Sequence, residues 1–257
     1  MRAGRLSRKC FWIAALLCLQ MPIVFATDYI TPSNWFVSGD LGLLIPTLGN
    51  SSTTVANAST TQNPLDLYSI NKPGVASTLA LQGGYRWTRI NPWFSNVTLG
   101  LRYQYLTSFK VSGNIEQYSS PDNTNYDYNL NVSAHVLSVI GKLDIYQFRH
   151  FAPYITLGLG QAFANVASYS ESPLGGVIPR TSPGYQSKSL LNTTYSAGLG
   201  VDYKFDRKWS MSVGYEYANF GTLKTGNGTD AWSNQSLSLG AMSSSAILLG
   251  LRYQIPE

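Results

Sequence analysis

Apolar and polar residues alternate along most of the chain, and the alternation is clearest from Leu191 to Phe205. Every second residue of that segment is apolar, aromatic or threonine, and the residues between them are small or polar. Strict alternation predicts a β-strand with two different faces. The segment from Trp209 to Tyr217 repeats the pattern after a three-residue turn, so the two segments predict a hairpin whose apolar face is unbroken.

Eight segments carry this pattern and predict eight strands. They are Trp35–Ile45, Val75–Trp87, Val97–Tyr105, Tyr128–Tyr146, Pro153–Ala167, Leu191–Phe205, Trp209–Tyr217 and Leu237–Ile255. Two of them are less regular. The apolar parity switches near Val136 and Leu137, which predicts a β-bulge there. In the next segment Gln161 falls on the otherwise apolar face.

The connections between these segments alternate between long and short. Residues 46–74, 112–126, 168–189 and 220–236 are long, whereas 88–94, 147–152 and 206–208 are short. Bacterial membrane barrels have short turns on the periplasmic side and long loops outside. A soluble β-sandwich is the alternative, but it gives no reason for every long loop to lie at one end. The sequence therefore predicts an all-β fold, an eight-stranded antiparallel up-and-down transmembrane β-barrel.

Aromatic residues sort to the ends of the predicted strands, as the two lipid–water interfaces favour. A core of a soluble sandwich would not need this sorting. The set expected near the periplasmic rim is Trp35, Tyr85, Trp87, Trp93, Phe94, Tyr203, Phe205, Trp209 and Tyr253. The set expected near the outer rim is Tyr103, Tyr105, Tyr195, Tyr215 and Tyr217.

The N-terminal segment predicts a secretory signal peptide over residues 1–26. Four basic residues precede an apolar run, and Val24 and Ala26 occupy the −3 and −1 positions of a cleavage site before Thr27. An anchor helix is the alternative, although the run is short for a membrane-spanning helix. The barrel domain is then expected to occupy residues 27–257.

Removal of the predicted signal peptide changes the net charge and the cysteine content of the chain. The signal peptide contains four of the 18 basic residues, none of the 13 acidic ones and both cysteines, so the remaining chain is nearly neutral. Nucleic-acid binding, a disulfide framework and a cysteine nucleophile are therefore not expected. With two histidines in the whole chain, we expect no metal site and no cofactor.

The polar faces of the predicted strands would line the lumen, because charges that face hydrocarbon are costly. The charged residues expected there are Asp40, Arg86, Arg102, Lys110, Asp202, Lys204, Glu216 and Arg252. An eight-stranded barrel is just wide enough for side chains to fill, so we expect a structural plug of ion pairs and hydrogen bonds. A narrow, gated polar path for small solutes is the alternative. Inward glycines, such as Gly100 and Gly250, would make room for long charged side chains.

Repeated motifs strengthen the barrel interpretation. LGLRYQ occurs at 99–104 and again at 249–254, and both copies place an inward charge between outward apolar residues. With PYITLGLGQAF at 153–163, SAGLGVDYKF at 196–205 and AILLGLRYQI at 246–255, the chain resembles small outer-membrane β-barrel domains of the OmpA transmembrane, OmpX and opacity types. That resemblance implies a Gram-negative outer membrane, with its lipid, lipopolysaccharide and barrel-assembly machinery as partners. The family usually ends on an aromatic residue, whereas this chain ends Ile255-Pro256-Glu257.

Three functions remain open from the sequence. Long polar loops favour a structural or surface-interaction role, with a host or environmental ligand at the loops. A narrow porin for small solutes is the second. The third is a lipid-modifying enzyme, which is not expected because His135 and Ser138 fall on opposite faces of a strand and His150 lies in a short turn.

Overall fold

The structure, a computed structural model, describes residues 34–56, 65–91, 94–177, 184–229 and 235–255. These residues form ten strands. They are β1 (Asn34–Leu48), β2 (Ser52–Ala56), β3 (Leu65–Ser69), β4 (Ala76–Asn91), β5 (Phe94–Glu116), β6 (Thr124–Asp144), β7 (Phe151–Pro173), β8 (Lys188–Lys204), β9 (Trp209–Asn227) and β10 (Ser236–Gln254). The predicted signal peptide and Trp93 lie outside the described residues.

Eight of these strands close into an antiparallel ring in the order β1, β4, β5, β6, β7, β8, β9, β10, with β10 paired to β1. The predicted eight-stranded up-and-down barrel is confirmed. The other two strands, β2 and β3, form a hairpin inside the connection that the sequence left as a long loop. None of the described segments forms a helix long and apolar enough to cross a membrane.

The outward face of the ring is apolar over a band that runs around the whole barrel. Leu43, Leu101, Leu157, Leu199 and Ile247 are each about 60% exposed, and they lie on five different strands. Aromatic side chains meet in pairs at the periplasmic rim, for example Trp35 with Tyr85 and Trp209 with Tyr253. Exposed large apolar surface of this extent is stable only when something apolar covers it, and lipid does so here.

Strand β6 corrects one prediction. Its inward and outward positions alternate without a break from Tyr126 to Asp144, so there is no bulge at Val136 and Leu137. What changes there is the polarity of each face. Below this level the outward residues are apolar and the inward ones, apart from Ile140, are polar. Above it the outward residues are polar and the inward ones apolar. The switch in the sequence marks the place where β6 leaves the membrane.

Strands β5, β6 and β7 are 23, 21 and 23 residues long, about twice the 9–11 residues that cross a bilayer. Their upper parts, together with the β2–β3 hairpin and the adjoining ends of β9 and β10, form an extramembrane part that we call the head. β3 pairs with the end of β5, and the backbone N–H of Ala56 donates to the Gln235 side chain 3.1 Å away. The hairpin thus fills the wall of the head between β5 and β10, beyond the ends of β4 and β1.

The interior of the head is a hydrophobic core rather than a polar lumen. Leu106, Ile115, Leu130, Phe220 and Leu237 are almost completely buried. A cluster of tyrosine rings lies among them, at centroid distances of 4.8 to 6.1 Å, and comprises Tyr68, Tyr128, Tyr169 and Tyr185. The side chains that fill the head exclude water from this end of the barrel.

Candidate functional site

Side chains fill the membrane-spanning half of the lumen with charged layers, stacked along the barrel axis. We call this set the lumen charge network. It comprises Asp40, Arg86, Arg102, Lys142, Asp144, Asp202, Lys204, Glu216 and Arg252. Alternation places each of these residues on the inward face of its strand, because the residues on either side face lipid.

The lowest layer joins β4, β5 and β6. Arg86 Nη2 lies 2.9 Å from Asp144 Oδ2, and both side chains are almost fully buried. The Asn96 amide also donates to Asp144 Oδ2, at 2.8 Å. A buried carboxylate with two such donors is charge-balanced and hydrogen-bonded, the condition under which buried ions are tolerated.

The middle layer is centred on Asp202. Lys142 Nζ lies 2.6 Å from both carboxylate oxygens of Asp202, and Arg252 Nη1 lies 3.9 Å from Oδ2. Lys142 Nζ is also 3.6 Å from the ring centre of Tyr154. The arrangement spans β6, β7, β8 and β10, so it ties opposite walls of the barrel together.

The upper layer is a two-point ion pair between β5 and β9. Arg102 Nη1 lies 2.6 Å from Glu216 Oε2, and Nη2 lies 2.9 Å from Oε1. Arg102 Nη2 also donates to Gln104, whose amide in turn donates to Thr78 at 3.0 Å. Bidentate guanidinium–carboxylate pairs are among the strongest polar contacts in proteins.

A cavity of about 50 Å³ lies between the middle and upper layers. Asp40 faces this cavity beside Gly250, where an added Cβ would lie 2.1 Å from Asp40 Oδ1. The cavity has room for a few waters but is far smaller than the hundreds of Å³ of a typical ligand site.

The structure places seven of the eight charged residues named from the sequence in the lumen. The exception is Lys110, which is exposed and faces outward. The cause is a real bulge in β5 between Leu106 and Phe109, which reverses the parity of the strand above it. Two inward charges, Lys142 and Asp144, were not in the expected set. Both lie on β6, and alternation counted from the lipid-facing residues Leu137, Val139 and Ile145 would have found them.

The two histidines lie outside the lumen. His135 is on the outward face of β6, and its Nδ1 is 2.7 Å from the Tyr103 hydroxyl. Ser138 is buried on the opposite, inward face. His150 lies in the turn before β7, with Nδ1 2.9 Å from the Lys204 carbonyl oxygen. Within the described residues, no group of three or more histidine, cysteine or acidic side chains could hold a metal ion.

Comparisons with known proteins agree with this architecture. A family model described as "Outer membrane protein beta-barrel domain" matches residues 13–244. A search of curated proteins found no match.

Several solved structures are similar over nearly their whole length. Neisserial surface protein A is 14% identical, with 87% of this chain and 99% of that chain covered and a TM-score of 0.44. The outer membrane protein OprG from Pseudomonas aeruginosa is 12% identical, with 89% and 98% covered and a TM-score of 0.45. The outer membrane protease OmpT from Escherichia coli is 13% identical, with 89% and 99% covered and a TM-score of 0.39.

Proposed function

The chain belongs to the outer membrane protein β-barrel domain family, and from that premise we propose that it is a closed, non-conducting barrel with a structural and surface-interaction role. The observation that carries this proposal is the filling of the lumen along its length. Charged layers occupy the membrane-spanning half, and a hydrophobic core occupies the head. A continuous water path would have to pass through both.

The energetic argument starts from the ion pairs. Opening a path past Arg102 and Glu216 would separate two buried charges that are 2.6 Å apart. Leaving one partner of a buried pair uncompensated costs about 3–5 kcal/mol. At about 1.4 kcal/mol per factor of ten, an open state would be populated roughly a hundred- to several-thousandfold less than the closed state.

The head supports the surface-interaction part of the proposal. Its packed interior holds the upper parts of β5, β6 and β7 as a rigid sheet, and their outward positions are polar. Asn129 and Asn131 on β6 lie opposite Ser112 and Lys110 on β5. Rigid extramembrane surfaces suit contacts with a host or environmental ligand, which is the partner that we propose for the head and its loops. Export by the predicted signal peptide and insertion by the barrel-assembly machinery complete the proposal.

Planar-bilayer recording tests the closed lumen. We expect neither the wild-type protein nor a double variant, Arg102→Ala with Glu216→Ala, to give reproducible conductance steps, because the core of the head and the other two charged layers still close the lumen when the upper layer is removed. The matched control is Lys110→Ala, which removes a cation from the outside of the head and leaves the lumen unchanged. Reproducible steps from the wild-type protein would overturn the proposal and favour the narrow porin.

A further inference from the structure

The turn between β5 and β6 lies at the tip of the head and exposes an aromatic side chain. Tyr118 in this turn is 53% exposed, whereas Tyr126 and Tyr128, which follow on β6, are buried in the core of the head. Leu65, the first residue of β3, adjoins the turn and is 49% exposed. The tip therefore presents two apolar side chains to water, where neither lipid nor the core of the head covers them.

Hydrogen bonds to β3 hold Tyr118 in this exposed position. Its backbone N–H donates to Asp66 Oδ1, 3.1 Å away, and the Ser119 hydroxyl donates to the Leu65 carbonyl oxygen at 2.8 Å. Tyr118 and Ser119 both have positive φ, +59° and +51°, which is unusual for a side chain as bulky as tyrosine. Such a conformation persists only where the surrounding structure holds it. An anchor that is fixed in this way loses little conformational entropy when it binds.

The charged side chains around these two apolar residues are negative. Segment 113–128 contains three acidic residues and no lysine or arginine; the acidic residues are Glu116, Asp122 and Asp127, and all three are partly or largely exposed. The connection 57–64, which leads into β3, has no charged residue. Two lysines, Lys72 and Lys110, lie beside or on β5 closer to the membrane. The field at the tip therefore attracts cationic partners and repels anionic ones.

We propose that the exposed pair Leu65 and Tyr118 docks onto an arginine-rich surface of another protein. A guanidinium stacks on the face of a tyrosine ring, and its N–H groups donate to nearby carboxylates. The methylene groups of the same arginine side chain would cover Leu65. Aromatic residues and arginine are also the residue types enriched in protein interfaces. This inference rests on the proposed surface-interaction role of the head and names the chemistry of its partner.

The test measures the binding of fluorescent peptides to the full-length protein in phosphatidylcholine nanodiscs, which carry no net charge. One peptide alternates arginine with serine, and in the matched peptide citrulline, an uncharged isostere, replaces every arginine. The Tyr118→Ala variant removes the anchor, and the Tyr118→Phe variant keeps its ring. The matched control for charge is Asp206→Asn, which removes an exposed carboxylate from a periplasmic turn at the opposite end of the barrel. Migration of the compact band on gels shows that each variant is folded.

We expect the arginine peptide to bind the wild type, Tyr118→Phe and Asp206→Asn with affinities that agree within about twofold. The Tyr118→Ala variant should bind it about fivefold more weakly, because the ring face is lost. The citrulline peptide should bind the wild type at least about fivefold more weakly than the arginine peptide does, and rising salt should weaken only the arginine peptide. Equal binding of the two peptides would overturn the inference, and so would unchanged binding by Tyr118→Ala.

Competition with dextran sulfate, a polyanion, on the wild-type protein gives a measurement that does not depend on a variant. Binding of dextran sulfate to the protein itself, without binding of the arginine peptide, would overturn the inference and leave a surface role with an anionic partner. Neither experiment depends on the closed lumen. Failure here therefore leaves the bilayer recordings as the separate test of the closed barrel, and conductance steps there would leave the peptide result standing.

Discussion

Replacing Glu216 by glutamine tests whether the lumen excludes enough water for its ion pairs to contribute to the free energy of unfolding. The substitution keeps the shape of the side chain and removes its charge, which leaves the Arg102 guanidinium without a counter-charge on β9. Both side chains are less than 10% exposed, and the pair is bidentate, with N–O distances of 2.6 and 2.9 Å. A surface pair would contribute about 0–1 kcal/mol to the free energy of unfolding. Loss of one partner of a buried pair costs more, because the remaining charge stays buried without a counter-charge.

The expected magnitude follows from that burial. Breaking a buried pair from one side costs about 3–5 kcal/mol. For a chain of this size, 1 kcal/mol shifts the melting temperature by about 2–4 °C, so Glu216→Gln should melt roughly 6–20 °C below the wild type. Removing both partners, as Arg102→Leu with Glu216→Leu, should cost less than the single variant, because no unpaired charge remains.

Urea titration in detergent micelles, followed by the shift of the compact band and by tryptophan fluorescence, measures the free energy of unfolding of each variant. Lys110→Gln is the control; its side chain is exposed, and we expect a change within about 0.5 kcal/mol. A cost below about 1 kcal/mol for Glu216→Gln would refute the reasoning, because it would mean that water screens the pair as on a surface.

Three further outcomes are expected. Gly84→Ala should abolish refolding, because its Cβ would lie 2.2 Å from a backbone oxygen of β5, whereas Gly39→Ala, with 3.7 Å of room, should refold normally; compact-band yield measures both. Phe220→Ala should cost about 3–5 kcal/mol in urea titration and speed proteolysis of the head, because Phe220 is 1% exposed in its core. Backbone N–H groups, that of Trp209 first, hold the pKa of Asp206 below 3.8. The stabilisation by this turn is therefore present at neutral pH and lost as pH falls through that lowered pKa, and urea midpoints should show less acid dependence for Asp206→Asn.

Strand β6 shows where local pattern suffices and where it fails. The alternation around Leu137 and Val139 identified the lipid-facing side correctly. Towards the head, from His135 onward, the polar residues take the outward positions and the apolar residues the inward ones. From the sequence of this strand alone, a bulge was the explanation for that change. The actual cause is not local, since the strand continues unbroken into a part of the barrel where water lies outside and a hydrophobic core lies inside.

Strand β5 shows the opposite case. Its alternation from Leu99 to Tyr105 gave no warning of the bulge that follows, so Lys110 was expected in the lumen. A bulge depends on how two neighbouring strands pair, and the pattern of one strand does not contain that information. The same limit hid the β2–β3 hairpin, whose short strands are stable only because they pair with β5 and cover the core of the head.

The sequence by itself determined the number of barrel strands, their order up and down, and the side of each that meets lipid. These follow from period-two alternation and from the spacing of the turns, which are properties of single segments. The tertiary structure alone decided which charges meet, as Arg102 meets Glu216 from a position 114 residues away, and where the lumen changes from charged layers to hydrophobic core. The pairing register and the stagger of the strands set the height at which each side chain lies along the barrel axis. Both arise only when the ring closes.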